Sequence, residues 1–151
     1  MVSGEVNVVW LQGGGCTGCS VSFLNTARPT VRNLLVEQFL PGTHISLRYH
    51  PTLMAGQGDG AFELLDGLPD AGYVLAVEGA LPENESFCTV GTEDGREVSV
   101  TEKFVSLADR ASLVLAVGTC SSFGGIPAGN PNPGAYRSAS DVMCVRAIAT
   151  P

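Results

Sequence analysis

The chain has 151 residues, 44% hydrophobic and 15% charged, with 15 acidic against 8 basic side chains and a net charge of −7. That length and apolar content suit a single folded domain and exclude intrinsic disorder, and the absence of a Lys/Arg cluster excludes a nucleic-acid footprint. The longest apolar runs, such as Leu113–Val117, are too short to span a bilayer, while the low charge and a mean hydropathy of +0.22 point to a surface partly covered by a partner.

Residues 6–11 form a β-branched, almost wholly apolar run, the pattern of a strand buried on both faces of a parallel sheet. Gln12-Gly13-Gly14-Gly15 ends it, Cys16-Thr17-Gly18-Cys19-Ser20 follows, and residues 21–24 begin a short helix that Pro29 stops. Thr30 caps a second helix, with Val31, Leu34, Leu35 and Phe39 as its apolar stripe up to Pro41-Gly42. Residues 45–49 alternate like a half-buried strand, residues 61–66 read as a helix ended by Gly67, and residues 72–77 are a second buried strand finishing at Glu78-Gly79. Residues 82–98 read as an exposed acidic excursion with a small hairpin turning at Asp94-Gly95. Val100–Ala108 is amphipathic and helical, and Leu113–Val117 is a third buried strand running into Gly118-Thr119-Cys120. Residues 124–134 are loop-like and residues 138–148 form a last helix.

Alternating strands and helices predict an α/β fold with a mostly parallel sheet. Each buried strand ends in a glycine-bearing loop with a candidate ligand or polar group: Cys16 and Cys19, then Glu78, then Cys120. In an open parallel sheet those loops share one edge, where such folds place their sites.

Five cysteines are an odd set, which argues against a closed disulfide framework, and the chain enters a strand within a few residues of Met1. Both features predict a reducing cytosol. Two thiolates on a glycine-rich turn suit a metal, a redox dithiol, or merely a tight turn of small residues. The glycines, the lack of a proline and a third cysteine at an equivalent strand end weaken the dithiol reading. Zinc commonly wants a second knuckle, which is missing, and His44 and His50 lack zinc spacing and read as surface or packing residues. All-thiolate ligation fits an iron–sulfur cluster better, and a 4Fe–4S cube on Cys16, Cys19 and Cys120 needs one more ligand. Cys88 falls on the hairpin and Cys144 reads as a buried thiol in the last helix, so neither is a strong fourth. Gly13-Gly14-Gly15 fits neither a Walker loop nor a dinucleotide fingerprint.

Residues 9–22 (Val-Trp-Leu-Gln-Gly-Gly-Gly-Cys-Thr-Gly-Cys-Ser-Val-Ser), Val77-Glu78-Gly79 and residues 118–128 (Gly-Thr-Cys-Ser-Ser-Phe-Gly-Gly-Ile-Pro-Ala) resemble the small subunit of nickel–iron hydrogenases. The likeness covers essentially the whole chain, including His50-Pro51-Thr52 and Phe87-Cys88-Thr89. The cluster subunit of respiratory complex I is a weaker match, having adjacent cysteines in place of Cys-Thr-Gly-Cys.

The resemblance implies one flavodoxin-like domain over residues 1–151, a parallel sheet with helices on both faces, ahead of a missing C-terminal cluster domain. It implies an electron-transfer role: Cys16, Cys19 and Cys120 match three of four ligands of the proximal 4Fe–4S cluster, the catalytic nickel–iron site belongs to a large subunit, and electrons pass onward to a redox acceptor or further electron-transfer subunit. The fourth ligand comes in the family from a Gly-Cys-Pro motif that is absent here, so the chain reads as a fragment or a split subunit. Glu78 occupies the family's acidic position, either a solvated loop carboxylate or a proton-transfer group. Gly18 and Gly125 match positions of two extra cysteines in oxygen-tolerant relatives, which predicts an ordinary four-cysteine cube. An isolated apo module and a cluster-binding quinone-oxidoreductase subunit are the alternatives.

Overall fold

A computed structural model describes residues 4–37, 42–56, 58–68 and 72–149, the side chains of 145–149 excepted. In chain order the elements are β1 (Gly4–Gln12), α1 (Gly18–Leu24), α2 (Val31–Leu35), β2 (Thr43–Tyr49), α3 (Gly58–Asp66), β3 (Tyr73–Glu78), β4 (Leu81–Pro82), β5 (Thr89–Glu93), β6 (Arg96–Ser99), α4 (Val100–Ala108), β7 (Leu113–Val117), α5 (Gly118–Phe123), β8 (Tyr136–Arg137) and α6 (Ala139–Ala149). The central sheet is parallel in the order β2-β1-β3-β7, which reproduces the first four places of the flavodoxin order. The expected α/β class is borne out.

Alternation along β1 sends its side chains to two different environments. Val9 and Leu11 join Leu75 and Val77 of β3 under Phe62 and Leu65 of α3 and Phe104 and Leu107 of α4, all essentially buried. Trp10 points to the opposite face, where the Phe23 ring of α1 lies 5.6 Å away and the His50 imidazole stacks at 5.1 Å. Helices therefore cover both faces. Each fully buried Leu or Phe contributes roughly 1.5–3 kcal/mol, more than an exposed ion pair such as Arg32–Glu37 at about 0–1 kcal/mol, so packing on β1 and β3 dominates.

Local signals set the boundaries. Thr30 Oγ1 accepts the Asn33 N–H at 3.2 Å and Asn33 Oδ1 accepts the Thr30 N–H at 2.9 Å, a reciprocal cap on α2. Phe39, expected to extend that helix, lies outside the described residues. Ser99 Oγ likewise caps α4 through the Glu102 N–H. Asp94 and Gly95 both take positive φ, 50° and 78°, the two-residue turn whose twist matches a hairpin.

Two expectations need correcting. The 82–98 segment is not wholly exposed: Val98 is buried, and Gly91 lies so close to the Phe62 ring that a Cβ there would sit 2.5 Å from it. Lys103 locks this arrangement, bonding Asp66 Oδ1 at 2.6 Å and Glu93 Oε1 at 2.9 Å with its Nζ 4.0 Å from the Phe62 ring centroid. β7, read as a buried strand, sits at the sheet edge with Leu113 51% and Leu115 45% exposed. An apolar run records that a strand wants cover, not whether this chain supplies it.

Candidate metal centre

Register brings three strand ends together: Gln12 pairs with Glu78 and Glu78 with Val117. Beyond them, β1 and β3 cross closely, with Gly13 N–H donating to Glu78 O at 2.7 Å and Gly14 and Ala80 exchanging two bonds of 2.8 Å. Gly79 makes this approach possible, since it has a φ of 88° and a Cβ there would lie 2.8 Å from the Gly13 carbonyl carbon. Cys16 follows on the loop, Cys19 stands in the first turn of α1, and Cys120 stands in α5, which begins directly after β7. The expected loop at Cys120 is thus a short helix.

All three cysteines are free thiols, Cys16 exposed and the other two partly buried. Burial first, then the charges of Glu78, Cys16 and Cys120, push the Cys19 thiol above its ordinary value. Each sulfur faces a glycine. A Cβ on Gly18 would lie 3.0 Å from Cys16 Sγ, one on Gly125 would lie 2.7 Å from Cys120 Sγ, and one on Gly118 would overlap Cys19 Sγ. A cavity of about 500 Å³ opens beside them, lined by Gly14, Gly15, Cys16, Cys120, Ile126, Pro127 and Tyr136.

Glu78 is not a solvated loop carboxylate. It ends β3, is 3% exposed, and accepts five bonds: from Trp10 Nε1 and Gln12 Nε2 at 3.0 Å, from the N–H groups of Cys19 at 3.0 Å and Ser20 at 3.1 Å, and from the Ser20 hydroxyl. Burial alone would raise its pKa, but the bonds from Ser20, Gln12 and Trp10 outweigh it and hold the carboxyl below the usual range. The carboxylate therefore fixes the start of α1, and with it Cys19, against the end of β3. His50, a buried packing residue, completes the group. Its Nδ1 accepts the Thr52 N–H at 3.2 Å, which leaves Nε2 protonated to donate to Ser20 Oγ at 3.2 Å. Burial lowers the His50 pKa, with Glu78 pulling the other way. Gln12 and Ser20 carried no sequence signal beyond their place at the end of β1 and the start of α1.

The remaining cysteines stand apart. Cys88 meets the Tyr136 hydroxyl at 3.4 Å, and Cys144 is exposed on α6, which corrects the expected buried thiol. His44 is exposed. Among the described residues, no three Cys, His, Asp or Glu side chains converge on one ion, as a tetrahedral zinc site would require. A cube offers a separate iron to each thiolate, and three free thiols, each beside a glycine, supply donors of the type it takes. Phe123 and Ile126, just after Cys120, are 82% and 92% exposed, giving this edge an apolar border. No helix among the described residues is long and apolar enough to cross a membrane.

Residues 16–149 match the model of the NADH ubiquinone oxidoreductase 20 kDa subunit family. The chain is 39% identical over 145 residues to the periplasmic [NiFeSe] hydrogenase small subunit of Desulfomicrobium baculatum, covering 89% of this chain and 44% of that one. It is 37% identical over 131 residues to the quinone-reactive Ni/Fe-hydrogenase small chain of Wolinella succinogenes, covering 83% and 34%. Among solved structures it superposes on the oxidized [NiFeSe] hydrogenase of Desulfovibrio vulgaris Hildenborough with a TM-score of 0.84 at 34% identity, over 97% of this chain and 52% of that one. The chain thus spans less than half the length of these curated relatives. The cytosolic expectation is overturned: the relatives from D. baculatum, Solidesulfovibrio fructosivorans and Nitratidesulfovibrio vulgaris are periplasmic proteins. Unpaired cysteines held free at a sheet edge say nothing about the redox state of the compartment.

Proposed function

The chain belongs to the NADH ubiquinone oxidoreductase 20 kDa subunit family, and from that premise we propose that it is the electron-transfer part of a nickel–iron hydrogenase small subunit. In this reading Cys16, Cys19 and Cys120 hold the proximal 4Fe–4S cluster, and residues 1–151 act as one flavodoxin-like cluster domain. The hydrogen-splitting site lies on a large partner subunit, and a redox acceptor or further electron-transfer subunit takes the electrons. The observation that carries it is that the three thiols stand at one edge of the sheet, each against a glycine that leaves room for its sulfur.

A bound cluster supplies reversible one-electron transfer. The protein's own part is to hold, orient and shield. The three thiols lose their protons on ligation. Glu78 fixes Cys19 through the start of α1. The border of Phe123 and Ile126 meets the large subunit and keeps water from that edge. A Cys-Thr-Gly-Cys pair, in place of adjacent cysteines, favours the hydrogenase reading over the quinone-oxidoreductase one within the family.

Iron and acid-labile sulfide in the anaerobically purified complex test the assignment. Cys16→Ala is expected to lower both and to alter the electron paramagnetic resonance signal of the reduced protein. A complex without iron, or iron and spectrum unchanged by Cys16→Ala, overturns it in favour of an apo module.

A further inference from the structure

Behind the cysteine loop lies a pair of side chains that the cluster reading does not use. The Tyr136 ring forms one wall of the cavity beside Cys16 and Cys120. It fills the space left by two glycines on its two edges: a Cβ on Gly134 would overlap its Cε2 and one on Gly14 would overlap its Cε1. Gly14 is two residues before Cys16, in the segment that leads to the ligand loop.

The ring is held from several sides. Asn132 imitates a strand partner, accepting the Tyr136 N–H at 2.8 Å and donating to its carbonyl at 3.1 Å. β8 pairs Tyr136 with Pro82 of β4, and Phe87 meets the ring edge-on at 6.3 Å. The hydroxyl is fixed by Cys88 Sγ at 3.4 Å. Cys88 takes a φ of 54° although it is not glycine, a conformation that persists where the surroundings over-determine it. Here its carbonyl accepts the Val100 N–H at 2.8 Å at the start of α4, while its side chain packs on the core. The Tyr136 phenol is pushed up to about 12, by the Cys88 hydrogen bond first and then by burial and the Cys88 charge, so it stays a neutral hydroxyl at any ordinary pH.

We propose that Tyr136, anchored through its hydroxyl to Cys88, is a positioning residue for the ligand loop: its ring backs Gly14, fixes the path of the chain to Cys16, and closes the cavity wall against water. This rests on the cluster reading of the same site. The polar end is tied to the rigid α4 side of the molecule and one ring edge to the glycine segment, so the pair transmits that rigidity to Cys16. Residues that position metal ligands tune both affinity and potential, and exposure to water changes the potential of an iron–sulfur cluster.

The test uses the anaerobically purified complex carrying Tyr136→Ala, Tyr136→Phe, Cys88→Ala, Cys88→Ser or the Tyr136→Phe/Cys88→Ala pair. Three quantities are measured: the rate of iron release to a ferrous chelator, the midpoint potential of the reduced signal, and the melting temperature. Tyr136→Ala is expected to speed iron release roughly tenfold and to move the potential upward, because admitted water solvates the added electron. Tyr136→Phe and Cys88→Ala each give a smaller rise of equal size, the pair gives no more than either alone, and Cys88→Ser restores wild-type release. Release rate and potential at wild-type values in Tyr136→Ala, despite a lowered melting temperature, overturn the proposal; so do additive effects in the pair. Should Tyr136→Ala fail to fold, the Phe and Cys88 variants decide alone. Failure of the cluster reading shows separately, as absence of iron from the wild-type complex, and takes this inference with it.

Discussion

Replacing Glu78 by Gln tests whether the buried carboxylate organises the site. The substitution keeps shape and volume but leaves one acceptor oxygen where two received five donors. If that oxygen keeps the Cys19 and Ser20 N–H groups, the new amide N–H₂ faces the Trp10 indole and the Gln12 amide. Gln12 cannot simply turn over, because its own oxygen accepts the Thr52 hydroxyl at 2.8 Å. At least one buried N–H is left without an acceptor, at about 1–3 kcal/mol, and the charge assistance to the remaining bonds is lost, giving a total near 3 kcal/mol. For a chain of this size that is roughly 6–12 °C in melting temperature. The effect depends on pH with a definite sign. The native pKa of Glu78 lies below its ordinary 4.5, so its contribution is fully present above 4.5 and is lost as pH falls through the lower native value. Urea unfolding of both proteins is expected to show the full gap at neutral pH, narrowing as wild-type Glu78 takes up its proton. A gap under about 0.5 kcal/mol at neutral pH, the size of an ordinary surface change, refutes the reasoning, as does a gap that does not narrow in acid.

Other consequences follow from single residues. Gly118→Ala combines a φ of 80° with a Cβ that overlaps Cys19 Sγ, so it is expected to reduce iron content sharply and to destabilise by about 1–3 kcal/mol; normal iron content in the complex would contradict the sulfur-against-glycine geometry. Lys103→Met keeps the buried stem and is expected to cost less than Lys103→Ala, which also opens space under Phe62. Because Asp66 and Glu93 are 53% and 42% exposed, the lost ion pairs count for no more than about 1 kcal/mol each, and urea midpoints will rank the two variants. At the hairpin turn Asp94→Asn is expected to be neutral and Asp94→Val to cost about 1–2 kcal/mol, because a β-branched residue resists the φ of 50°; thermal melts separate them.

The sequence by itself determined the α/β class, the parallel sheet and the identity of the cysteine-bearing ends. Those properties follow from local patterns: apolar runs at 6–11, 72–77 and 113–117, and the glycines that end them. Helix α4 was legible to the residue because its amphipathic stripe is a local signal, whereas the Ser99 cap came from the structure. Only the tertiary structure decided what depends on pairs distant in the chain. Register set Gln12, Glu78 and Val117 side by side, converting Glu78 from a loop carboxylate into the acceptor of bonds from β1 and α1. The same packing set Gly118 against Cys19, Gly125 against Cys120 and Tyr136 against Gly14, contacts that no spacing rule encodes. It also left Leu115 of β7 exposed and Lys103 buried, against their residue types. Residue pattern states which groups need a neighbour; only the folded chain determines which neighbour each receives.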